Sequence, residues 1–326
     1  MAKASVYVTR MIPEENIEEL RKHFDVEVNQ EDRALSKEEL KEKLKGKNAV
    51  ISLLTDIIDG EVLDAAGSQL KIVANYAVGF NNFDLAAATD RGIILTNTPG
   101  VLDEATATLT FTLLLSMARR IPEANKYLRD GKWKGWAPMF FIGLDVDRKT
   151  LGVAGLGRIG KNVARKAKGF DMKIIYTDVC RNEEFEKQVG ATFVDKETLL
   201  KESDFLTLHV PLMPETHHYI GEKELKVMKK TAVLINASRG PVVDEAALVK
   251  ALKEKQIWGA GLDVFEEEPR ISPGLSDLDN VVIVPHIASA TMDTRLKMGA
   301  IAVDNIIKVL SGQLPDTCVN TEVLKK

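Results

Sequence analysis

The chain has only two cysteines, Cys180 and Cys318, in 326 residues. Two isolated thiols exclude a disulfide framework and a cysteine-based metal centre, and they suit a reducing compartment. Long apolar runs are missing as well. The most hydrophobic stretch, Ala107 to Ala118, is interrupted by threonines and a serine, too short to cross a bilayer, and is read as a buried helix. There is no basic stripe or tail, and a net charge of −4 with a pI of about 5.9 argues against nucleic-acid binding. The lysines of residues 37–47 alternate with glutamates and read as a solvated helix face. Repeats and low-complexity segments are absent. The first residues, AKASVYVTR, enter a strand pattern without the apolar core of a signal peptide. The expectation is a cytoplasmic protein with no membrane partner, no nucleic-acid partner and no metal centre.

What is present is a chain 45% hydrophobic, long enough for a sizeable core and two domains. The first hundred residues alternate strand patterns (5–9, 26–29, 49–54, 72–75, 93–96) with helical ones (14–24, 37–45, 61–66, 84–90). Ser36-Lys37-Glu38-Glu39 forms a capping box. Thr98-Pro99-Gly100 breaks the pattern, Asp103 caps a long apolar helix, and Pro122 predicts a kink or break beyond it. A second series has strands at 151–154, 172–177, 205–209, 232–236, 259–263 and 281–284. Helices are predicted at 222–230 and 245–255, and a last one over 292–310. Strand–helix alternation means parallel sheets covered by helices. The predicted fold class is therefore α/β, two Rossmann-like or flavodoxin-like domains with a ligand cleft between them.

The second series opens on its most informative stretch. Leu151-Gly152-Val153-Ala154 is a short strand, and Gly155-Leu156-Gly157-Arg158-Ile159-Gly160 is a G-x-G-x-x-G loop leading into a helix. In such a loop Gly155 permits the tight turn, Gly157 lets backbone approach a pyrophosphate, and Gly160 lets the helix lie close to the sheet. A second strand ends at Asp178, an acid placed to accept hydrogen bonds from ribose hydroxyls. The motif alone is weak; with strand, helix and acid in register it predicts a dinucleotide site. The plain alternative is a Gly-rich turn with no ligand.

In open parallel sheets ligands bind beyond the carboxyl ends of the strands. That rule selects Arg239, Asp263, Glu268 and His286, each just past a predicted strand. Taken singly, Arg239 and Asp263 are as readily surface ion pairs and Glu268 a solvated charge. His209, at another strand end, rivals His286, whereas His217 and His218 fall in a polar turn. Together they make chemistry. Arg239 can grip a carboxylate with its planar fork and stabilise charge on an adjacent carbonyl oxygen. His286 can protonate that oxygen, Glu268 can hold the ring as imidazolium, and Asp263 is placed to meet a nicotinamide carboxamide.

These segments resemble the D-isomer-specific 2-hydroxyacid dehydrogenase family, within it the glyoxylate/hydroxypyruvate reductases. The resemblance spans essentially the whole chain and rests on GLGRIG (155–160), NASRGPVVDEAAL (236–248), GAGLDVFEEEP (259–269) and VPHIASAT (284–291). It implies Arg239, Glu268 and His286 as the catalytic residues. It implies a substrate site at Leu54, Val78 and Gly79, completed by Arg239 and His286, and extends the cofactor set beyond the glycines and Asp178. The additions are Leu156, Arg158 and Ile159 in the loop, and His209, Pro211, Thr216, Ala237, Asp263 and Ala288 after later strands. It further implies residues 1–99 plus 288–326 as the substrate domain, 100–287 as the dinucleotide domain, and a homodimer. The expected reaction is reduction of a small 2-keto acid, glyoxylate or hydroxypyruvate, to the D-2-hydroxy acid, with NADH preferred over NADPH. The alternatives are a dinucleotide-sensing corepressor-like protein and a D-glycerate or phosphoglycerate dehydrogenase. Many phosphoglycerate dehydrogenases carry a C-terminal regulatory domain, which a chain ending at Lys326 is not expected to have. Glutamine at the Glu268 position marks formate dehydrogenases of the family, and lysine at the Val78 position marks phosphite-oxidising ones.

Overall fold

The computed structural model describes residues 3–325; residues 1, 2 and 326, at the ends of the expected substrate domain, lie outside this range. Two compact units are present, one holding the chain up to Leu102 and from Ala290 onward, the other Asp103–Ser289.

The first unit is a parallel sheet of β1 (Ser5–Val8), β2 (Asp25–Val28), β3 (Ala49–Ser52), β4 (Ile72–Asn75) and β5 (Ile94–Thr96), in the order β2-β1-β3-β4-β5. Strands β3 and β4 read AVIS and IVAN and are buried throughout, as expected of central parallel strands covered on both faces. Helix Met292–Leu310 packs beside helix Glu14–His23; it starts where the Thr291 hydroxyl accepts the Thr294 N–H. After it the chain returns to the sheet edge, where the Val319 N–H donates to the Leu95 carbonyl at 2.8 Å. The strand order reverses between β1 and β3, and that is where an open sheet of this order gathers its ligand loops.

The second unit is a seven-stranded parallel sheet: β6 (Thr150–Ala154), β7 (Lys173–Thr177), β8 (Thr192–Phe193), β9 (Phe205–Leu208), β10 (Val233–Asn236), β11 (Gly259–Leu262) and β12 (Val281–Ile283). Their order is β12-β11-β10-β9-β6-β7-β8. The long apolar helix expected from Asp103 runs over Asp103–Ala118, with Asp103 in its first turn. Ala107, Phe111, Leu114 and Met117 bury it against β10, β11 and helix Arg158–Ala167. Pro122 marks a break, sitting in the first turn of a separate helix, Ile121–Arg129.

Register is what positions the site. Thr177 pairs with Ala154, Ala154 with Leu208, Leu208 with Asn236, Asn236 with Leu262 and Leu262 with Ile283. Six strands therefore end on one row. Four strand steps separate β6 from β12, a row of about 19 Å at the usual inter-strand spacing.

Candidate active site

The glycine loop follows β6, one strand in from the β7 end of that row, where the strand order reverses between β6 and β9. Gly155 has φ +90°, and a Cβ there would fall 2.7 Å from the His209 carbonyl carbon, so no other residue fits without moving β9. At Gly157, by contrast, a Cβ would meet nothing within 4 Å, which leaves that face open to a ligand. Gly157 is also the N-cap of helix Arg158–Ala167 and offers no side-chain cap, so the first N–H groups of the helix remain available to phosphate. One strand away, Asp178 accepts the Leu156 N–H at 2.5 Å and the Val179 N–H at 2.7 Å, which aims its carboxylate at the loop. Arg158 reaches back to Asp103, Nε to Oδ2 at 3.3 Å; burial raises the Asp103 pKa, and Arg158 opposes that shift. This open cradle with an acid at its side fits a dinucleotide.

His209 follows β9. Burial pushes its imidazole down to about 3, so the ring is neutral, and it hydrogen-bonds Thr207 Oγ1 at 2.9 Å. A ring held neutral is a poor proton donor, which leaves His286 without its rival. The loop beyond is closed by Thr216, whose hydroxyl donates to the Pro211 carbonyl and accepts the Met213 N–H.

Arg239 follows β10 and the buried Ala237. Asn236 shapes the turn: its Nδ2 donates to the Arg239 carbonyl at 2.9 Å, and its Oδ1 accepts the Ser238 N–H at 3.0 Å. Gly240 then lies flat on the next loop, where a Cβ would fall within 1.8 Å of the Phe265 carbonyl oxygen. That contact brings the Arg239 turn and the Glu268 loop together. Burial pulls the guanidinium's pKa down, and the charge of Glu268 opposes it.

Glu268 and His286 meet directly. His286 Nδ1 lies 2.8 Å from Glu268 Oε2, and Glu268 Oε1 accepts the Phe265 N–H at 3.1 Å. Burial acts to raise the Glu268 pKa. The His286 hydrogen bond and charge, the Phe265 N–H and Arg239 outweigh it, and the carboxyl ends below its usual range. The two side chains keep 37% and 31% of their exposure, so the pair is reachable from solvent. His286 has φ +51°, a left-handed backbone that costs roughly 1–2 kcal/mol in a non-glycine residue. Asp263 holds this turn. Its backbone carbonyl accepts the His286 N–H at 2.9 Å, and its fully buried carboxylate accepts Ile287 N–H at 2.6 Å and Ala288 N–H at 3.0 Å. Burial raises the Asp263 pKa against those bonds and the charge of His286. Both carboxylate oxygens thus serve the His286 turn, a positioning task that the strand-end rule did not disclose.

In the first unit, Leu54 lies in the turn after β3, and Val78 and Gly79 in the loop after β4. Asn82 Nδ2 donates to the Leu53 and Asp56 carbonyls, while Asn75 Nδ2 donates to the Gly79 carbonyl and Asn97 Nδ2 to that of Val78, each at 2.8 Å. Among the described residues, the Val78 and Gly79 N–H groups donate to no protein acceptor. Sequence reasoning assigned no role to the three asparagines; Asn75 ends β4 and Asn97 follows β5, a signal that marks those two, whereas Asn82 lies well inside the loop after β4.

Comparison with known proteins agrees with this geometry. The family model for the NAD-binding domain of D-isomer specific 2-hydroxyacid dehydrogenases matches residues 111–288. A glyoxylate reductase of Korarchaeum cryptofilum is 52% identical over 326 residues, 99% of this chain and 98% of its own. The TT0316 protein of Thermus thermophilus superposes with a TM-score of 0.92 at 44% identity, over 97% of this chain and 99% of that one. An NADPH-dependent glyoxylate/hydroxypyruvate reductase of Sinorhizobium meliloti, solved with NADP and malonate, gives 0.87 at 32% identity, over 99% and 98%.

Proposed function

The chain belongs to the D-isomer specific 2-hydroxyacid dehydrogenase family, and on that premise we propose that it reduces glyoxylate to glycolate, or hydroxypyruvate to the D-2-hydroxy acid, with NADH. The observation that carries the mechanism is the 2.8 Å bond between His286 and Glu268 on the sheet edge that also bears the Gly155 loop. NADH, held by the Gly155 loop and Asp178, would supply a hydride to the keto carbon. As it arrives, the C=O π pair moves onto oxygen, and that oxygen takes a proton from His286 to become the hydroxyl. Arg239 grips the carboxylate and stabilises the charge gathering on the keto oxygen. Glu268 keeps the ring oriented and charged. Leu54 contacts the substrate, and the unused N–H groups of Val78 and Gly79 bind its carboxylate.

In this reading residues 103–289 form the dinucleotide domain and the remainder the substrate domain. Gly155 to Gly160, His209, Pro211, Thr216, Ala237 and Ala288 line the cofactor, and Asp178 takes its ribose. A homodimer is supported by exposed apolar side chains in one segment of the dinucleotide domain: Trp133, Trp136, Met139 and Ile142. A cytoplasmic location is supported by the two free cysteines, and among the described residues no helix is long and apolar enough to cross a membrane. The corepressor-like alternative has no observation in its favour. Steady-state rates with glyoxylate, hydroxypyruvate and pyruvate test the reading, and failure to reduce any of them overturns it.

Cofactor choice follows from Asp178, whose charge repels a 2′-phosphate. Arg181, which could otherwise receive that phosphate, is engaged by Glu186 through two bonds of 2.9 and 2.8 Å. The expected kcat/KM is higher with NADH than with NADPH. Asp178→Asn should narrow the gap by about tenfold or more, 1.4 kcal/mol. A wild-type preference for NADPH would show this assignment to be wrong.

A further inference from the structure

A second cluster of chemically active side chains lies outside the proposed reaction centre. His217, His218 and Glu266 each offer one donor atom, and these atoms all lie within 4.8 Å of one another. We propose that they form a binding site for a divalent transition-metal ion, with Zn2+ the representative.

Adjacent residues in an extended chain point to opposite sides, so a His-His pair does not ordinarily present both rings together. Here His218 has φ +50°, which reverses the backbone and brings the ring centroids to 4.0 Å, tilted by 31°. His218 Nε2 lies 2.6 Å from Glu266 Oε1 and shares a proton with it that a metal ion would displace.

Each partner is held from behind. The His217 N–H donates to the Met213 carbonyl at 2.9 Å and the His218 N–H to the Pro241 carbonyl at 2.8 Å. Glu266 Oε2 accepts the Glu245 N–H at 3.1 Å, and the Glu266 N–H donates to Glu245 Oε1 at 2.6 Å. Such outer bonds orient metal ligands. Bonds of about 2.0–2.2 Å to zinc require the set to close by roughly an ångström. The exposed ring of His217 can swing in to do so, and its open side leaves coordination positions for water.

The donor set selects the metal. Two imidazoles and one carboxylate suit Zn2+, Ni2+ or Cu2+, whereas Mg2+ and Ca2+ take oxygen ligands. No part of the site belongs to the groups assigned to the reaction, so its test does not depend on that assignment.

The test is equilibrium dialysis of tag-free, chelator-stripped protein against ZnCl2, with bound metal measured by mass spectrometry. The expected result is saturable binding of a single ion per chain. His217→Gln, at an exposed position, and Glu266→Gln, which keeps hydrogen-bonding atoms, should each weaken it by about tenfold or more. A Cys180→Ser/Cys318→Ser double variant should bind as the wild type does. Absence of saturable binding overturns the proposal, as does full affinity in either ligand variant or loss of binding with the cysteines.

Discussion

Replacing His286 by alanine is expected to lower kcat for keto-acid reduction by about 10²–10⁴, the usual worth of a positioned general acid. The proton must then come from water, while Arg239, Glu268 and the glycine loop remain. NADH affinity, read from quenching of nicotinamide fluorescence, should change little, because the ring's role lies at the keto oxygen. Position 286 is left-handed, so alanine adds a backbone difficulty of its own. His286→Asn separates the effects: asparagine accepts that conformation more readily but cannot give up a proton at neutral pH. Its kcat should fall as far while its thermal unfolding stays close to that of the wild type. Near-normal turnover in either variant would remove His286 from the mechanism.

Arg239→Lys is expected to cost about 10²–10³ in kcat/KM, comparable to losing a preorganised donor at a developing oxyanion. Charge is kept, but lysine is a point cation on a flexible stem and cannot offer two parallel N–H donors to a carboxylate. The loss should appear in both KM and kcat, since the proposed contact serves substrate and transition state. NADH binding should be preserved. Arg239 is partly buried and its guanidinium Nη1 donates to the Ser238 carbonyl at 2.7 Å, so a parallel unfolding curve must show that the turn survives. If turnover survives as well, the arginine is structural.

The sequence made the chemistry easier to read than the scaffolding. Long periodic elements and those with side-chain caps were legible: helix Met292–Leu310 is where its pattern put it, and Ser36 and Glu39 close the expected capping box. Short polar elements were not. Helices Glu183–Val189 and Lys196–Glu202 and the two-residue strand β8 have too few buried residues to show a period. Their caps, Asn182 and Asp195, were the available signal. Strand ends were read long by one residue at His209, Asp263 and Val284, where each N–H still donates to the neighbouring strand, to the Ala154, Asn236 and Leu262 carbonyls, just beyond the last paired residue. Arg239, Glu268 and His286 could be selected from strand ends. The pairing of Glu268 with the His286 ring was expected too; what brings them together was not, because it depends on Gly240 lying against Phe265 and on Asp263 turning the backbone at His286.

The central claim is that Glu268, hydrogen-bonded to His286 Nδ1, holds the ring in its charged form, and that the ring delivers its Nε2 proton to the keto oxygen. Against burial, the His286 hydrogen bond and charge lower the Glu268 pKa, so the carboxylate stays ionised through the neutral range beside the ring. The most direct measurement is kcat/KM for glyoxylate reduction by NADH against pH, in the wild type and in Glu268→Gln. The wild-type rate should fall along an alkaline limb. In the variant, which keeps the shape but not the charge, that limb should move to lower pH. Superimposable limbs, or a rate indifferent to pH, would contradict it.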